Sequence, residues 1–335
     1  MLDVYSIRRY LPGPTGVHAM SSDAAQGIVI LGMPRSGTTL LRRLLDAHPA
    51  LCCPPETNVL SAAARFLRED ASAGGVAVGV LSGLSFAGIA EEVVVARLRE
   101  LVFGFLREIC RRSGKKRWAE KTAFNIFHLD QIEQLCAGSC RFLCLVRHPL
   151  DVVCSIKDLT DKMEMYVAEL HTYIRQYPAP LEAFAHAWVE THTRLRRFVS
   201  DHPDGCLMLK YEDLVHHPAE ELRRVFDFLG EPADVPAILS RALDGTEAIG
   251  LGDWKTYEHR AIHAESVGRW RRLSPSTVHG LVKIIAAEME LAGYPPIPAV
   301  VSPRPEVARR QYKLGLLVSH MRSERQEAGQ GHGAG

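Results

Sequence analysis

The chain has 335 residues, 47% of them hydrophobic and 24% charged, with 40 Lys+Arg against 39 Asp+Glu and a formal net charge of +1. That is the composition of an ordinary globular protein, long enough for one large α/β domain or two small ones. With no basic surplus or stripe there is no general case for nucleic acid, so any anion site has to be local. Eight cysteines without a CxxC pair argue against a zinc site or a disulfide framework and point to a reducing compartment.

The first twenty residues, MLDVYSIRRYLPGPTGVHAM, lack the apolar core of a signal peptide. Residues 1–26 read as a loose extension, with Met20 as an alternative start. The run GIVIL opens a strand over Gly27–Met33, and the leucines at 40, 41, 44 and 45 predict an amphipathic helix over Thr38–Ala47. Residues 71–90, ASAGGVAVGVLSGLSFAGIA, carry no charge, but their glycines and serines make a poor membrane span. They read as a buried or acceptor-facing mobile segment, with no stable membrane insertion.

Helical spacing returns over Glu91–Arg111, followed by a short strand at Arg117–Ala119 and a helix over Phe124–Leu135. A strand at Arg141–Val146 leads into a helix over Leu150–Lys157. Next come a helix over Ala183–Ser200, a strand at Cys206–Leu209, and helices over Ala219–Leu229 and Pro275–Leu291. Strands alternating with helices imply an α/β fold, a three-layer α/β/α domain with a central parallel sheet. The domain is expected over 27–295. Residues 296–335 form a C-terminal extension whose last dozen, ERQEAGQGHGAG, have the composition of disorder.

The stretch GMPRSGTTLLRRLLDAHP, Gly32 to Pro49, nearly spells a phosphate-binding loop. A strand turning through glycine into a helix offers unpaired backbone N–H groups and the positive end of a helix dipole. Ser36, Thr38 and Thr39 add hydroxyls, Gly37 permits close backbone approach, and Arg35 adds a fork for two oxygens. The lysine of a nucleoside triphosphatase loop is replaced by Thr38. The plain alternative is a strand-to-helix turn with solvated polar residues. In CLVRHPLDVVCSIKD, Arg147 stands at the carboxyl end of a strand, where open α/β sheets bind ligands. Asp151 and Ser155 lie one helical turn apart beyond it; local pairing of Arg147 with Asp151 is the competing reading.

The loop PRSGTTLLRRLLDAHP resembles the 5′-phosphosulfate loop of the sulfotransferases that use 3′-phosphoadenosine 5′-phosphosulfate (PAPS), especially the tyrosylprotein branch and its bacterial relatives. LVRHPLDVVCSIKD is similar to their 3′-phosphate motif. Further similarity runs through ETNVL (56–60), EKTAFN (120–125), YEDLVHHP (211–218) and GDWKTYEHRAIHAESVGRWRRL (252–273). The resemblance implies a P-loop-type domain and a PAPS-dependent sulfotransferase with 3′,5′-ADP as product and no required metal. It implies Arg35, Ser36, Gly37, Thr38, Thr39, Arg147, Ser155, Tyr211 and Arg269 as cofactor-binding residues, with Lys255 and Thr256 in a flap. Arg35 and Lys121 would stabilise the transferring group.

Glu56 is the candidate general base for in-line transfer. Its stiff lead-in, Cys52-Cys53-Pro54-Pro55, predicts partial desolvation, and it stands 21 residues after Arg35 as in the tyrosylprotein branch. The competing reading is an ordinary glutamate at a helix start. For Lys121 the competing reading is a solvated lysine paired with Glu120, for Tyr211 a half-buried aromatic, and Trp270 reads as packing. His48 reads as a capping or packing residue, and His128, His148, His216 and His217 lack a carboxylate at convincing spacing.

Two departures stand out: Ala123 where relatives carry proline, and Leu159 where the tyrosylprotein branch carries an arginine that Lys157 would have to replace. A P-loop kinase and a non-catalytic nucleotide-binding protein are the alternative functions. The acceptor is expected to bear a hydroxyl on an apolar or phenolic small molecule. The regions 60–115 and 158–205, the latter with Lys162, Tyr166, His171, Tyr173, Arg175 and Tyr177, should build its pocket. Cytoplasmic action is expected.

Overall fold

The computed structural model describes residues 27–72, 75–163, 168–177, 179–242 and 262–298. In chain order the first half runs β1 (Gly27–Leu31), α1 (Thr38–Asp46), β2 (Leu51–Cys52), α2 (Val59–Leu67), β3 (Asp70–Ala71), β4 (Ala77–Val78), α3 (Val80–Phe86) and α4 (Glu91–Arg112). Then come β5 (Arg117–Glu120), a 3-10 turn (Ala123–His128), α5 (Leu129–Cys136), β6 (Cys140–Val146), α6 (Pro149–Met163) and α7 (Ala168–Gln176). The rest is α8 (Pro180–Asp201), β7 (Cys206–Lys210), α9 (Tyr211–His216), α10 (Pro218–Leu229), α11 (Val235–Ala242), a second 3-10 turn (Arg269–Arg272) and α12 (Pro275–Leu291).

Five strands form one parallel sheet in the order β2-β5-β1-β6-β7. As the central strand, β1 is buried along its whole length, which is why it reads as an unbroken apolar run and does not alternate. Its side chains still sort by the two-residue period. Ile28 and Ile30 pack with Leu41, Leu44 and Leu45 of α1 and with α10 and α11 on one face. Val29 and Leu31 pack with α2, α4, α5 and α8 on the other. A third cluster, around Leu150, Ile156, Phe184, Trp188 and Ile285, binds α6, α7, α8 and α12 to one another. Helices therefore cover both faces of the sheet, the expected three-layer arrangement.

The chain leaves β1 for β2 on one side and later reaches β6 on the other, so β1 is where the strand order reverses. The carboxyl ends of its neighbours open a crevice there, the general ligand site of such sheets. All five strand ends deliver a residue expected in the site: Arg35–Thr39 after β1, Glu56 after β2, Lys121 after β5, Arg147 after β6 and Tyr211 after β7.

Three expectations are corrected. The helix expected over Phe124–Leu135 is a 3-10 turn followed by α5; the tighter turn, with Asn125 N–H on Thr122 O at 3.0 Å, aims Asn125 back at the end of β5. The described residues of the uncharged segment 71–90 are mostly exposed: they form part of the β3–β4 hairpin edge and α3, with Leu81 buried but Val76 and Val78 each 57% and Phe86 86% exposed. Among the described residues no helix is long and apolar enough to cross a membrane. His128 does meet a carboxylate, Glu169 from α7 at 3.5 Å, a pairing that sequence spacing could not show. All eight cysteines are free thiols, seven of them buried. Residues 1–26, 299–335, Tyr166, Lys255 and Thr256 lie outside the described residues.

Candidate active site

Helix α1 begins at Gly37, which has φ +93° and contributes no side-chain cap, so the first-turn N–H groups of α1 keep no side-chain acceptor. An added Cβ at Gly37 would lie 2.3 Å from Cδ2 of Tyr211. Glycine is therefore required both by the left-handed turn and by the ring packed on it. Arg35 is also left-handed, at φ +74°. Ser36, Thr38 and Thr39 are all buried at the mouth of the crevice.

The loop joins the second motif directly. Arg35 Nε donates to Ser155 Oγ at 3.1 Å, and Arg147 Nη1 donates to the carbonyl of Arg35 at 3.0 Å. Arg147 is only 4% exposed. Its Nη2 donates to Ser266 O at 2.5 Å and its guanidinium lies 4.3 Å over the ring of Tyr211. None of these partners is a carboxylate, and Nε is buried with no partner. Burial pushes its pKa down, with Tyr211 and then Asp151 and Glu212 opposing.

The local pairing of Arg147 with Asp151 does not form. Asp151, fully buried, instead accepts from the backbone N–H of Gly268 at 2.7 Å and of Trp270 at 3.1 Å. That bond holds the second 3-10 turn, and with it Arg269, against α6; Arg269 in turn ion-pairs with Asp158. Trp270 stacks on His148 with ring centroids 5.6 Å apart and planes 5° apart, a packing role. Lys157 pairs with Asp161 along the same helix. The competing reading of Asp151 as the local partner of Arg147 fails, since its donors lie 117 and 119 residues away.

On the other side of β1, Lys121 is 4% exposed and bridges two elements. Its Nζ donates to Glu56 Oε1 at 2.6 Å and to Thr39 Oγ1 at 3.2 Å. The Glu120 pairing does not occur. Glu56, 16% exposed, also faces the N–H of Ala123 at 3.4 Å. It stands before α2, not inside it, because Asn58 takes φ +58° and starts the helix one residue later. The lead-in is pinned by α1: Arg42 Nη1 donates to Cys53 O at 2.9 Å, and Cys53 N–H donates to Asp46 Oδ1 at 2.8 Å. His48 accepts from Ala50 N–H at 3.1 Å and faces Pro232 O at 3.0 Å, a packing role away from Glu56.

The arrangement gives one buried cation, Arg147, a half-buried one, Arg35, and loop donors suited to an anion on the β1–β6 side, and a carboxylate–ammonium pair on the β1–β5–β2 side. Residues 27–235 match the sulfotransferase family. A protein-tyrosine sulfotransferase from Drosophila melanogaster is 28% identical over 280 residues, 80% of this chain and 52% of that protein. Nodulation protein NoeE from Sinorhizobium fredii is 27% identical over 278 residues, 78% of this chain and 64% of that protein. The chain thus spans between half and two thirds of the length of these two relatives. Among solved structures, the sulfotransferase domain from the curacin biosynthetic pathway superposes with a TM-score of 0.57 at 19% identity, covering 81% of this chain and 99% of that domain. At that identity the likeness is one of fold.

Proposed function

The chain belongs to the sulfotransferase family, and we propose that it transfers the sulfuryl group of PAPS to a hydroxyl acceptor, with Glu56 as general base. One observation carries the reading. Among the described residues, the partners of the buried Arg147 guanidinium are two carbonyl oxygens and a ring, with an unpartnered Nε. A buried cation without a counterion is costly, and the 3′-phosphate of the donor would supply that counterion. In this reading Ser155, bonded to Arg35, and Arg269, paired with Asp158 of α6, join Arg147 on the 3′-phosphate, while the α1 N-terminus, Arg35, Thr38 and Thr39 suit the 5′-phosphosulfate.

In this reading the acceptor O–H gives its proton to Glu56 as the new S–O bond forms and the bond between sulfur and the bridging phosphate oxygen breaks. Lys121, already shared between Glu56 and Thr39, is placed to follow the negative charge onto that bridging oxygen. Catalysis of this kind is positioning and charge stabilisation, with no protein nucleophile.

An apolar or phenolic hydroxyl is the acceptor this reading favours. Half-buried Phe124 follows the residue whose N–H faces Glu56, and the fly relative acts, by its name, on tyrosine. Calorimetric titration tests the donor site: 3′,5′-ADP should bind without metal and better than ATP with Mg²⁺, and the reverse preference would overturn the proposal. A labelled-PAPS screen that loads sulfate only onto sugars would overturn the acceptor class.

A further inference from the structure

Glu120 is fully buried, with 0% exposure, directly before Lys121. Among the described residues no cation pairs with it: the ammonium of Lys121 turns to Glu56 and Thr39. Its Oε1 instead accepts from Thr122 Oγ1 at 2.5 Å and Thr57 Oγ1 at 3.2 Å, and its Oε2 accepts from Asn125 Nδ2 at 2.6 Å. Each donor is itself oriented by a second bond. Thr122 Oγ1 accepts from Asn58 N–H at 3.2 Å, Thr57 Oγ1 from Val59 N–H at 3.5 Å, and Asn125 Oδ1 from Ser61 Oγ at 2.7 Å.

All three donors aim hydrogens at the one carboxyl group, an acceptor role that an amide in its place would fill only by half. Burial pushes the carboxyl pKa up while Thr122, Asn125 and Thr57 oppose it. A tie needed for packing alone would be cheaper with neutral partners, because a buried charge without a counterion is costly. What this carboxylate joins explains its presence. Thr57 adjoins the base Glu56, Lys121 adjoins Glu120 itself, and residues 53–58 have no helix or strand to hold them.

We infer that Glu120 is a positioning residue that locks the Glu56-bearing segment to the end of β5 and so sets the geometry between Glu56 and Lys121. The inference rests on the reading of Glu56 as the base.

The test uses the full chain and labelled PAPS, with 2-naphthol and water as the acceptors whose sulfation or sulfate release is counted. Glu120→Gln keeps the shape but turns an amide N–H₂ toward a donor. It should lower kcat at least about 30-fold, since small misplacements at a reacting centre are that costly, with KM for PAPS and Kd for 3′,5′-ADP within about twofold. Glu120→Asp, still acceptor-only, should recover part of the loss. Thr57→Val should lose about fivefold, and it decides the matter if Glu120→Gln fails to fold. In a Glu56→Gln background, Glu120→Gln should cost nothing further, the mark of residues acting as one unit. Wild-type kcat in Glu120→Gln (or in Thr57→Val, where that variant decides), kcat and 3′,5′-ADP affinity falling together, or additive losses would overturn the inference while leaving the base intact. Full activity in Glu56→Gln, or no transfer by the wild-type chain, would instead overturn the parent reading and the inference with it.

Discussion

The two sides of the crevice solve the problem of a buried cation differently. On the β6 and β7 side, Arg147 is held by the carbonyls of Arg35 and Ser266 and by the Tyr211 ring. The nearby carboxylate of Asp151 is spent on backbone N–H groups. On the β2 and β5 side, Lys121 is paired with a carboxylate, Glu56, at 2.6 Å. The first arrangement fixes a cation and leaves its charge to attract an anion. The second keeps the charge matched until another partner competes for it. A binding cation has to be available before the ligand arrives, whereas a cation that follows charge during transfer has to be able to change partners.

Removing Glu56 should break this comparison most visibly. Glu56→Ala is expected to lower kcat by about 10²–10⁴-fold, the usual worth of a general base, while 3′,5′-ADP binds as before. Single-turnover transfer from labelled PAPS checks the first part and calorimetry the second; equal losses in both would merge the two sides into one binding site. Arg147→Ala should show the opposite pattern. Loss of a buried charged partner typically costs 2–5 kcal/mol, so the Kd for 3′,5′-ADP should rise by about 30-fold or more. Unchanged affinity would remove Arg147 from the nucleotide site.

Gly37→Ala sharpens the comparison at the point where the sides meet. The added methyl needs a strained left-handed backbone and the space of the Tyr211 ring. Strain of this kind costs about 1–3 kcal/mol, and displacing the ring removes the support beneath Arg147. Lower thermal stability together with about tenfold weaker 3′,5′-ADP binding is expected. A variant with normal affinity would separate the loop from the β6 side.

The sequence made the sheet and most of the site legible because each depended on a local signal. Buried strands show as apolar runs, and the loop residues and Arg147 sit directly after such runs. What it hid were partners chosen across long separations. Glu56 meeting Lys121 spans 65 residues and Asp151 meeting Gly268 spans 117, and the local pairings weighed as the competing readings of Arg147 and Lys121 do not form. Segment 71–90 misled for a different reason. Lack of charge predicts burial only when other elements cover the segment, and here Val76, Val78 and Phe86 remain exposed.

The smallest expected effect concerns His148, packed behind Arg147 between Trp270 and Tyr294. Burial, with the cations of Arg271 and Arg147 adding to it and Asp151 opposing, pushes its pKa down to about 4. An unfolded histidine titrates near 6.5, so between these values the unfolded chain binds a proton that the native chain refuses. Stability must then fall as pH drops from about 6.5 towards 4, and by pH 5 the cost is about 2 kcal/mol. The Nδ1 of His148 has no partner, so His148→Phe keeps the ring stack and removes the titration. Denaturant melts at pH 7 and pH 5 should show a smaller loss for His148→Phe than for the wild-type chain. Equal losses would place the acid sensitivity elsewhere.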